Sequence, residues 1–269
     1  MNYQEFDPHP CLVAFVKCYW TLEASKDQMN WISRDKIFPD GSPEMIFHYG
    51  DVFVKHDSGG DSKQNPSFIH GQITSYIELS ATGTTNVFGV RFKPDGLGLL
   101  LKLPISELNG CYVSLHEIMK SSASAMEDLM FQANHTVDRI RCMDRFLIKQ
   151  LSDSVLIDPM IKKGIQLISQ HQGSLKTKVL AQLLGISERQ LERKFKRHVG
   201  ISAKTLSNIS RFQCALTNIR NQSDTNLTQL SHQYGYFDQS HFIKEFTKFT
   251  GSCPSIYLSK DSTLTRNFF

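Results

Sequence analysis

The chain has 269 residues, of which 40% are apolar and 21% are charged, as in an ordinary soluble globular protein. This length predicts two domains with substantial cores. No run of about 18 apolar residues occurs, so no membrane span is predicted, and the first residues lack the pattern of a secretory signal. The six cysteines are scattered without a C-x-x-C pair, which favours reduced thiols in a cytoplasm over a zinc site or a disulfide framework.

Charge is divided unevenly along the chain. Residues 1–154 carry 14 Lys and Arg against 19 Asp and Glu, whereas residues 155–258 carry 14 against 6. An acidic half joined to a basic half indicates a nucleic-acid partner for the basic half. A basic helical domain that is merely solvated is the alternative.

Proline and glycine interrupt residues 1–115 every several positions, with short apolar or alternating runs between them. Short strands with frequent turn signals predict an antiparallel sandwich or barrel. The runs expected to form strands are Leu12–Leu22, Lys36–Phe38, Glu44–Tyr49, Val52–Lys55, Ser67–Ile69, Ser75–Ala81 and Asn86–Phe92. The segment Asp57–Pro66 is predicted to be a polar loop, and a short helix is predicted to begin near Asp95.

A small barrel can enclose a ligand. The candidate lining residues are Tyr19, Trp20, Phe38, Glu44, His48, Phe88 and Arg91. The structural alternatives are core packing for the aromatic rings and an ion pair between Glu44 and Arg91 that pins two strands. His48, His56 and His70 lack metal-ligand spacing, so neither a metal nor a cofactor is predicted. No catalytic triad, phosphate loop or carboxylate pair is recognisable, so the sequence does not indicate an enzyme.

Residues 116–155 are predicted to form a helical bridge and linker. Ser124 and Glu127 make a capping box, and one long helix is expected from there to about Leu151. Its apolar residues, interrupted by Asp144, fall at alternating steps of four and three: Met126, Met130, Ala133, Val137, Ile140, Leu147 and Leu151. Such a seam can pair two chains into a homodimer, or it can cover the flank of its own domain.

The basic part, residues 156–258, is predicted to be all-helical. After a linker at Asp153-Ser154, Asp158-Pro159 supplies an N-cap with proline at the first helical position. One helix is expected from Pro159 to about His171, and a longer one from Ser202 to about Arg220. The helical periodicity of apolar residues supports both.

Between those helices, the segment Val179–Gly200 predicts a helix-turn-helix. Two short helices flank a turn at Gly185, and Ser187 with Gln190 forms a capping box at the start of the second, basic helix. A second copy follows at Leu227–Gly251, with a turn one residue longer and Asp238 as N-cap. The residues that correspond between the copies are Leu191 with Phe242, Phe195 with Phe246, and Gly200 with Gly251.

The segment from Gly235 to Tyr257, GYFDQSHFIKEFTKFTGSCPSIY, resembles the signature of the AraC/XylS family of bacterial transcription regulators. The resemblance covers about residues 159–258. Lys244 stands where the family often has arginine, Thr247 where it has lysine, and Leu258 where it ends in arginine. Lys244 keeps the charge but loses the bidentate fork, and the other two changes each remove a phosphate-side charge.

The front half also resembles an uncharacterised sensor-like domain found before some AraC-type modules, through Phe38-Pro-Asp-Gly41, Glu44, Gly71 and Gly89-Val-Arg-Phe-Lys-Pro-Asp-Gly96. That resemblance implies a cupin-like sheet. The predicted fold is therefore α+β with two domains. Its parts are a β-rich regulatory domain with flanking helices at 1–115, the helical bridge at 116–155, tandem helix-turn-helix units joined by a long helix at 156–258, and a tail at 259–269.

The resemblance implies a sequence-specific regulator that places two recognition helices in successive major grooves of double-stranded DNA, ~34 Å apart. The predicted base contacts are Arg189, Gln190, Arg193, Gln239, Ser240, His241 and Lys244. The predicted phosphate contacts are Lys194, Lys196, Arg197 and Lys248. Glu192 either accepts from a cytosine amine or balances Arg189 and Lys196. The first unit, with more cations, is expected to supply the larger share of binding.

Double-stranded DNA is the predicted partner, in a bacterial cytoplasm, with a small-molecule effector, RNA polymerase and a second copy of the chain as further candidates. Two alternatives belong to other classes of function. A DNA-repair methyltransferase with an AraC-like module needs a four-cysteine zinc site, for which Cys11 and Cys18 are too isolated. Alternatively, the front domain serves only for dimerisation or carbohydrate binding.

Overall fold

A computed structural model describes the chain over residues 1–25, 34–101, 104–151, 158–221 and 227–259. Two predicted segments fall wholly or mostly outside these ranges, namely the linker at 153–154 and the tail at 259–269. Within the described ranges, strands fill the amino-terminal part and helices the carboxy-terminal part, so the predicted two-domain α+β class is confirmed. None of the helices in those ranges is long and apolar enough to cross a lipid bilayer.

The strands form two antiparallel sheets. In chain order they are β1 (Asn2–Phe6), β2 (Val16–Ala24), β3 (Asp35–Ile37), β4 (Glu44–His48), β5 (Phe53–Asp57), β6 (Gly60–Lys63), β7 (Ser67–His70), β8 (Ile77–Ala81), β9 (Thr85–Phe92) and β10 (Tyr112–Ser114). The larger sheet has the order β1-β2-β9-β4-β7-β10, and the smaller has the order β3-β8-β5-β6. Each run predicted to be a strand overlaps one of these strands.

The predicted polar loop at Asp57–Pro66 is wrong in part, because β6 lies inside it. A two-residue turn at Ser58 and Gly59 reverses the chain so that β5 and β6 pair as a hairpin, and Gly60, the first residue of β6, has φ +118°. Such a backbone conformation favours glycine, which has no Cβ. Every residue of β6 is exposed, so the hydrophobic alternation by which a strand is recognised in a sequence is missing.

Alternation along the strands decides which side chains face the space between the sheets. Trp20 borders that space, whereas its neighbour Tyr19 is stacked on Phe88 in the opposite core, with ring centroids 5.7 Å apart. Because successive side chains of a strand point to opposite faces of the sheet, the prediction that Tyr19 and Phe88 line a ligand cavity is wrong. Tyr19 donates instead to Asp144 at 2.7 Å, which explains an acid within the apolar seam.

Two helices, rather than the one predicted from Ser124 to Leu151, cover this opposite face of the larger sheet. The helices of the region are α1 (Leu115–Met119), α2 (Ser121–Gln132) and α3 (Thr136–Leu151). The chain breaks at Ala133, whose ψ is 127°, and Arg139 donates to the carbonyl oxygens of Met130 and Ala133. These bonds satisfy the carbonyl groups at the end of α2, so the break is stable.

The predicted dimer seam is divided between these helices and packs into its own domain. Three of its residues are buried in one cluster with the larger sheet: Met126, Met130 and Leu147. Val137 is 53% exposed. Ser124 lies inside α2 rather than at its start, so the predicted capping box is wrong, and Glu127 accepts from the Ser67 hydroxyl instead. These contacts favour the alternative in which the seam covers the flank of its own domain.

The carboxy-terminal part is built of helices. They are α4 (Pro159–Gln170), α5 (Thr177–Leu183), α6 (Glu188–His198), α7 (Ala203–Asn221), α8 (Leu227–Gln233), α9 (Gln239–Thr250) and α10 (Pro254–Ser259). The Asp158 side chain accepts from the Met160 amide at 3.0 Å, which confirms the predicted N-cap of α4. The predicted long helix is α7, and it supplies the centre of the core through Ile209, Phe212 and Leu216.

Phe38, next to the end of β3, ties the two parts of the molecule together. It borders the space between the sheets and is also buried in the core of the helical part. Its ring centroid lies 6.3 Å from that of Phe212 and 6.0 Å from that of Tyr257. Nearby, the Gln213 side chain donates to the carbonyl oxygen of Pro39 at 2.6 Å. The segment that follows β3 in the amino-terminal part therefore packs against α7.

Candidate nucleic-acid interface and the amino-terminal cavity

The first helix pair of the basic part is closed by local hydrogen bonds. A short turn joins α5 to α6, and in it Gly185 has φ +68°, a conformation that favours glycine. The Ser187 hydroxyl accepts from the backbone N–H of Gln190 at 3.2 Å, and the side-chain oxygen of Gln190 accepts from the backbone N–H of Ser187 at 3.0 Å. This reciprocal pair confirms the predicted capping box at the start of α6.

The second helix pair repeats this build. A turn at Gly235, with φ +70°, leads from α8 into α9. Asp238 accepts from the His241 amide at 2.7 Å, which confirms its predicted N-cap position. The Thr228 hydroxyl of α8 donates to the Gln239 side chain at 3.0 Å and joins the two helices. The corresponding buried residues of α6 and α9 are Leu191 with Phe242 and Phe195 with Phe246.

A buried ion pair fixes the second unit on α7. One nitrogen of the Arg211 guanidinium donates to both carboxylate oxygens of Glu245, at 2.9 and 3.0 Å, and the two side chains are 10% and 7% exposed. The same guanidinium lies 4.1 Å from the ring centroid of Tyr236 and donates to the carbonyl oxygen of Gly235. Neither charged residue is among the predicted site residues. Glu245 falls on the apolar face of α9, however, and an acid there indicates a buried partner.

The amino-terminal ends of α6 and α9 open onto one groove that also borders α7. We call it the inter-unit groove; it is lined by Arg189, Glu192, Lys204, Asn208, Phe237 and His241. Arg189 and Glu192 in the first half of α6 therefore border the same groove as His241 of α9 and Phe237 of the turn before it. A single ligand of extended shape can contact both helices.

The predicted base contacts differ in their surroundings. Three are exposed cations for which no ion pair is found within the described ranges: Arg189, Arg193 and Lys244. Ser240 is also exposed. The side-chain oxygen of Gln190 accepts within the capping box, and that of Gln239 accepts from Thr228 of α8. The side-chain N–H groups of both glutamines remain available to a base. The His241 imidazole accepts from the Phe237 amide at 3.4 Å, which holds the ring at the turn. The contacts to bases stay a prediction.

Two of the predicted phosphate contacts are paired with acids. Lys196 lies 2.9 Å from Glu192 one turn earlier, and both side chains are 57% exposed. Lys194 is bonded to Asp158 at the start of α4. Burial opposes ionisation of Asp158, but Lys194 and a backbone amide outweigh it and hold the pKa of that carboxyl below its ordinary value. The two remaining predicted phosphate contacts, Arg197 and Lys248, are exposed. Glu192 thus balances Lys196, although contact with a base is not tested.

The space between the two sheets is a cavity with mostly apolar walls. Five predicted ligand residues border it on the larger sheet and at the end of β3: Trp20, Phe38, Glu44, His48 and Arg91. Ile37, Ile77 and Leu79 form the wall on the smaller sheet. No group of three or more His, Cys, Asp or Glu side chains suited to hold a metal ion occurs in the part of the chain that the structure describes.

Charged groups in this cavity neutralise one another. Arg91 donates from Nε to Glu44 at 2.7 Å and from Nη1 to Glu5 at 3.1 Å. Glu44 also accepts from Trp20 at 3.0 Å, and its second oxygen lies 3.4 Å from His70 Nε2. Burial opposes ionisation of Glu44, but the Arg91 charge and the His70 hydrogen bond outweigh it and lower the pKa to about 2. Because β4 and β9 are neighbours, Glu44 and Arg91 form the ion pair that was the structural alternative.

Several polar atoms of the cavity wall have no hydrogen-bond partner among the described residues. They are Nδ1 of His48, the hydroxyl of Tyr112 and one carboxylate oxygen of Asp40. His48 is 3% exposed, and burial lowers its pKa to about 4, so the ring is neutral near pH 7. Its Nε2 lies 3.1 Å from the Gln64 carbonyl oxygen, so the proton is assigned to Nε2 and Nδ1 is an acceptor. Buried polar groups are ordinarily paired, so these three atoms are exceptions to that rule.

The amino-terminal part also contacts the end of each recognition helix. The Asn109 side chain donates to the carbonyl oxygen of Gly200, just beyond α6. Lys36 donates to the carbonyl oxygen of Thr250, the last residue of α9, at 3.2 Å. Neither contact was predicted from the sequence, because nothing local to Asn109 or Lys36 indicates which distant backbone group each one meets.

Two family models match the chain. Residues 180–260 match a helix-turn-helix domain, and residues 4–114 match a domain of unknown function, DUF6597. A comparison with curated protein sequences finds no match.

Among solved structures, the chain is similar to ToxT from Vibrio cholerae, with 15% identity, 96% of this chain and 97% of that chain covered, and a TM-score of 0.46. It is also similar to the C-terminal domain of AraT, a response regulator from Geobacillus stearothermophilus, with 24% identity, 39% and 88% coverage, and a TM-score of 0.36. A third similar structure is the xylose-binding transcription activator XylR, with 18% identity, 46% and 39% coverage, and a TM-score of 0.32. One chain thus combines a region that matches a DUF6597 domain, at residues 4–114, with a region that matches a helix-turn-helix domain, at residues 180–260.

Proposed function

We propose that this chain is a transcriptional regulator that recognises a specific sequence of double-stranded DNA with both helix-turn-helix units. The observation that carries the proposal is the repeated build: α6 and α9 have side-chain N-caps, bury corresponding residues and open onto one groove. In helix-turn-helix proteins the second helix enters the major groove, and its first residues contact base edges. Two such helices joined through α7 would occupy successive major grooves, ~34 Å apart.

We expect the first unit to supply the larger share of the binding free energy. It presents exposed Arg189, Arg193 and Arg197, whereas the second unit presents Lys244 and Lys248. An arginine can bond a guanine edge through two N–H groups, whereas a lysine ammonium acts as a point charge. The difference in residue type therefore favours base recognition by α6.

The amino-terminal part, in this proposal, controls how the two units are placed relative to each other. Support comes from the contacts of Asn109 beside α6 and of Lys36 at the end of α9. Lys36 lies in β3, next to Ile37. Ile37 borders the cavity and pairs with Ile77 of β8, which also borders the cavity. A molecule that fits the cavity better in one arrangement of these strands would shift the population toward that arrangement.

Selection of binding sites from random duplexes by the full chain tests the proposal. We expect a bipartite sequence whose two halves are centred about one helical turn, roughly 10 base pairs, apart. Arg193→Ala should relax the selection at one or two positions within one half. The matched control is Arg145→Ala, which removes an exposed arginine of α3 and should select the same sequence as the natural chain. Recovery of unselected DNA, or of one half-site alone, would contradict the proposal.

A further inference from the structure

We infer that the cavity between the two sheets binds a small, uncharged, mainly apolar molecule that carries a hydroxyl group. The inference rests on the proposed function, because it names the chemical class of the effector. Three properties of the cavity wall lead to it: its apolar surface, its internally neutralised charges and its unpaired hydrogen-bonding atoms.

The apolar surface favours a hydrocarbon skeleton. Aromatic rings form a continuous stretch of the wall: the centroid of His48 lies 5.2 Å from that of Phe53 and 5.9 Å from that of Phe68, which lies 5.3 Å from that of Tyr112. Aliphatic side chains of the smaller sheet, Ile77 among them, complete the enclosure. Burial of apolar surface in such a site would supply most of the affinity, roughly 25 cal/mol for each Å² removed from water.

The charged groups disfavour an ionic ligand. Arg91, the one guanidinium that borders the cavity among the described residues, already donates to Glu44, Glu5 and the Tyr3 hydroxyl, at 2.7, 3.1 and 3.3 Å. To bond to Arg91, a carboxylate ligand would have to displace one of these three partners. The displaced group would then lose its hydrogen bond with the guanidinium. Asp40 lies 3.7 Å from Arg91 and is the remaining acid of the wall, so an anion would also meet its charge. Burying an unpaired charge is costly.

The unpaired atoms favour a hydroxyl group. Nδ1 of His48 is an acceptor without a donor, and the Tyr112 hydroxyl is a donor and acceptor without a partner, among the described residues. Both rings lie beside the ring of Phe68, so they are neighbours in the wall. A ligand hydroxyl can both donate to His48 and accept from Tyr112. A carboxylate can only accept, an ammonium can only donate, and a hydrocarbon does neither.

Binding of matched probe sets to the full chain tests the inference. One set is 2-phenylethanol, phenylacetate, 2-phenylethylamine and ethylbenzene; the other is 1-octanol, octanoate, octylamine and octane. The chain has two tryptophans, so a Trp31→Phe background lets the fluorescence of Trp20, which borders the cavity, report occupancy. We expect an alcohol to bind saturably and at least about ten-fold more tightly than the acid, amine and hydrocarbon of its set.

Two variants locate the binding. Tyr112→Phe removes only an unpaired hydroxyl, so the protein should fold normally and bind the alcohol roughly ten-fold more weakly. Tyr49→Phe is the control, because it removes a hydroxyl bonded to Glu23 outside the cavity and should leave alcohol binding unchanged. Equal or tighter binding of an acid or amine, an unchanged alcohol affinity in Tyr112→Phe, or no binding of either alcohol would overturn the inference. DNA titration of the same protein without probes shows separately whether the proposed regulator function stands.

Discussion

Gly200 and Gly251 stand at corresponding positions after the two recognition helices, and each lies against the amino-terminal part of the molecule. A Cβ added to Gly200 would come within 2.8 Å of the Asn109 side chain, and one added to Gly251 within 2.5 Å of the Tyr76 ring. Lys36 is 4.4 Å from the Tyr76 ring centroid and reaches the same end of α9. The amino-terminal part thus contacts both units at the same point of the repeat, where it can set their separation.

Breaking one of these contacts should relax the spacing preference on DNA. Asn109→Ala removes the bond to Gly200, so the first unit would move more freely relative to the second. We expect the ratio of affinities for the best spacing and for one base pair more or less to fall roughly five-fold. Titration of duplexes with graded spacers measures this ratio. Asn134→Ala, at the exposed break between α2 and α3, is the control, and an identical spacing profile in all three proteins would contradict the role given to Asn109.

Arg193 and Lys196 should affect DNA binding in different ways. Arg193→Ala is expected to cost about 1–3 kcal/mol at one or two base positions, because a bidentate contact to a base is lost. Lys196→Ala should weaken binding to all sequences alike and reduce the slope of affinity against salt by about 1. Titrations with the selected site, single-base variants of it and random DNA separate the two effects. The same loss on every duplex for both variants would refute this division.

Glu192 allows a test of its two interpretations. The structure pairs it with Lys196 at 2.9 Å on an exposed face. Glu192→Gln should therefore free Lys196 and remove one negative charge beside the DNA, which strengthens binding to all sequences and steepens the salt dependence. If Glu192 instead accepts from a cytosine amine, the variant binds more weakly and loses its preference at one base pair. Binding measured over a salt series, with selected and random duplexes, decides between these outcomes.

The predictions that held are those in which a few neighbouring residues decide the structure. Ser187 with Gln190 and Asp238 with the His241 backbone amide are local caps, and each follows a glycine turn that fixes where the helix begins. The same spacing at Ser124 and Glu127 has no such turn before it, and there the predicted cap is wrong. Because a capped helix follows a glycine turn in both segments, the two helix-turn-helix units can be recognised as copies of one another. The base and phosphate assignments stay predictions, because no contact with DNA tests them.

Two of the failures have different causes. Tyr19 and Trp20 are adjacent residues of one strand and face opposite ways, so the alternation of a strand alone excludes that both border the cavity. The break at Ala133 depends on Arg139 capping the carbonyls of α2 across the turn, and helical periodicity does not reveal such a tertiary bond. Asn109 at Gly200 is a contact of the same long-range kind.

Replacing one residue of the buried pair Arg211 and Glu245 should destabilise the helical part strongly, whereas replacing both with apolar residues should not. Arg211→Met leaves the Glu245 carboxylate buried without its guanidinium partner, so we expect the free energy of unfolding of the helical part to fall by about 3–5 kcal/mol. Combining it with Glu245→Leu should recover most of that loss, because two apolar side chains fill similar volume without an unpaired charge. Urea unfolding followed by helical circular dichroism measures both. A double variant no more stable than Arg211→Met would contradict the pairing.

Protonation of His48 should make the amino-terminal part less stable in mild acid. Burial lowers its pKa from 6.5 to about 4 in the folded protein, so between these values the unfolded chain takes up a proton that the folded chain does not. The free energy of unfolding is therefore unaffected by His48 above pH 6.5 and falls as the pH drops from 6.5 to 4, by on the order of 3 kcal/mol. Glu44 and His70 titrate in the same cavity. Glu44 bonding raises the pKa of His70 despite its burial, so His70 acts in the opposite direction.

The contribution of His48 is isolated by comparison with His48→Gln, which keeps a polar side chain near Gln64 and cannot be protonated in this range. Denaturant unfolding at steps between pH 7 and 4, followed by the fluorescence of Trp20 in the Trp31→Phe background, should show a shallower fall with His48→Gln than without it. His135→Gln is the control, because His135 is exposed and should leave the profile unchanged. Parallel profiles for the natural chain and His48→Gln would show that the imidazole is not held neutral, and the assignment of its Nδ1 as a buried acceptor would fail with it.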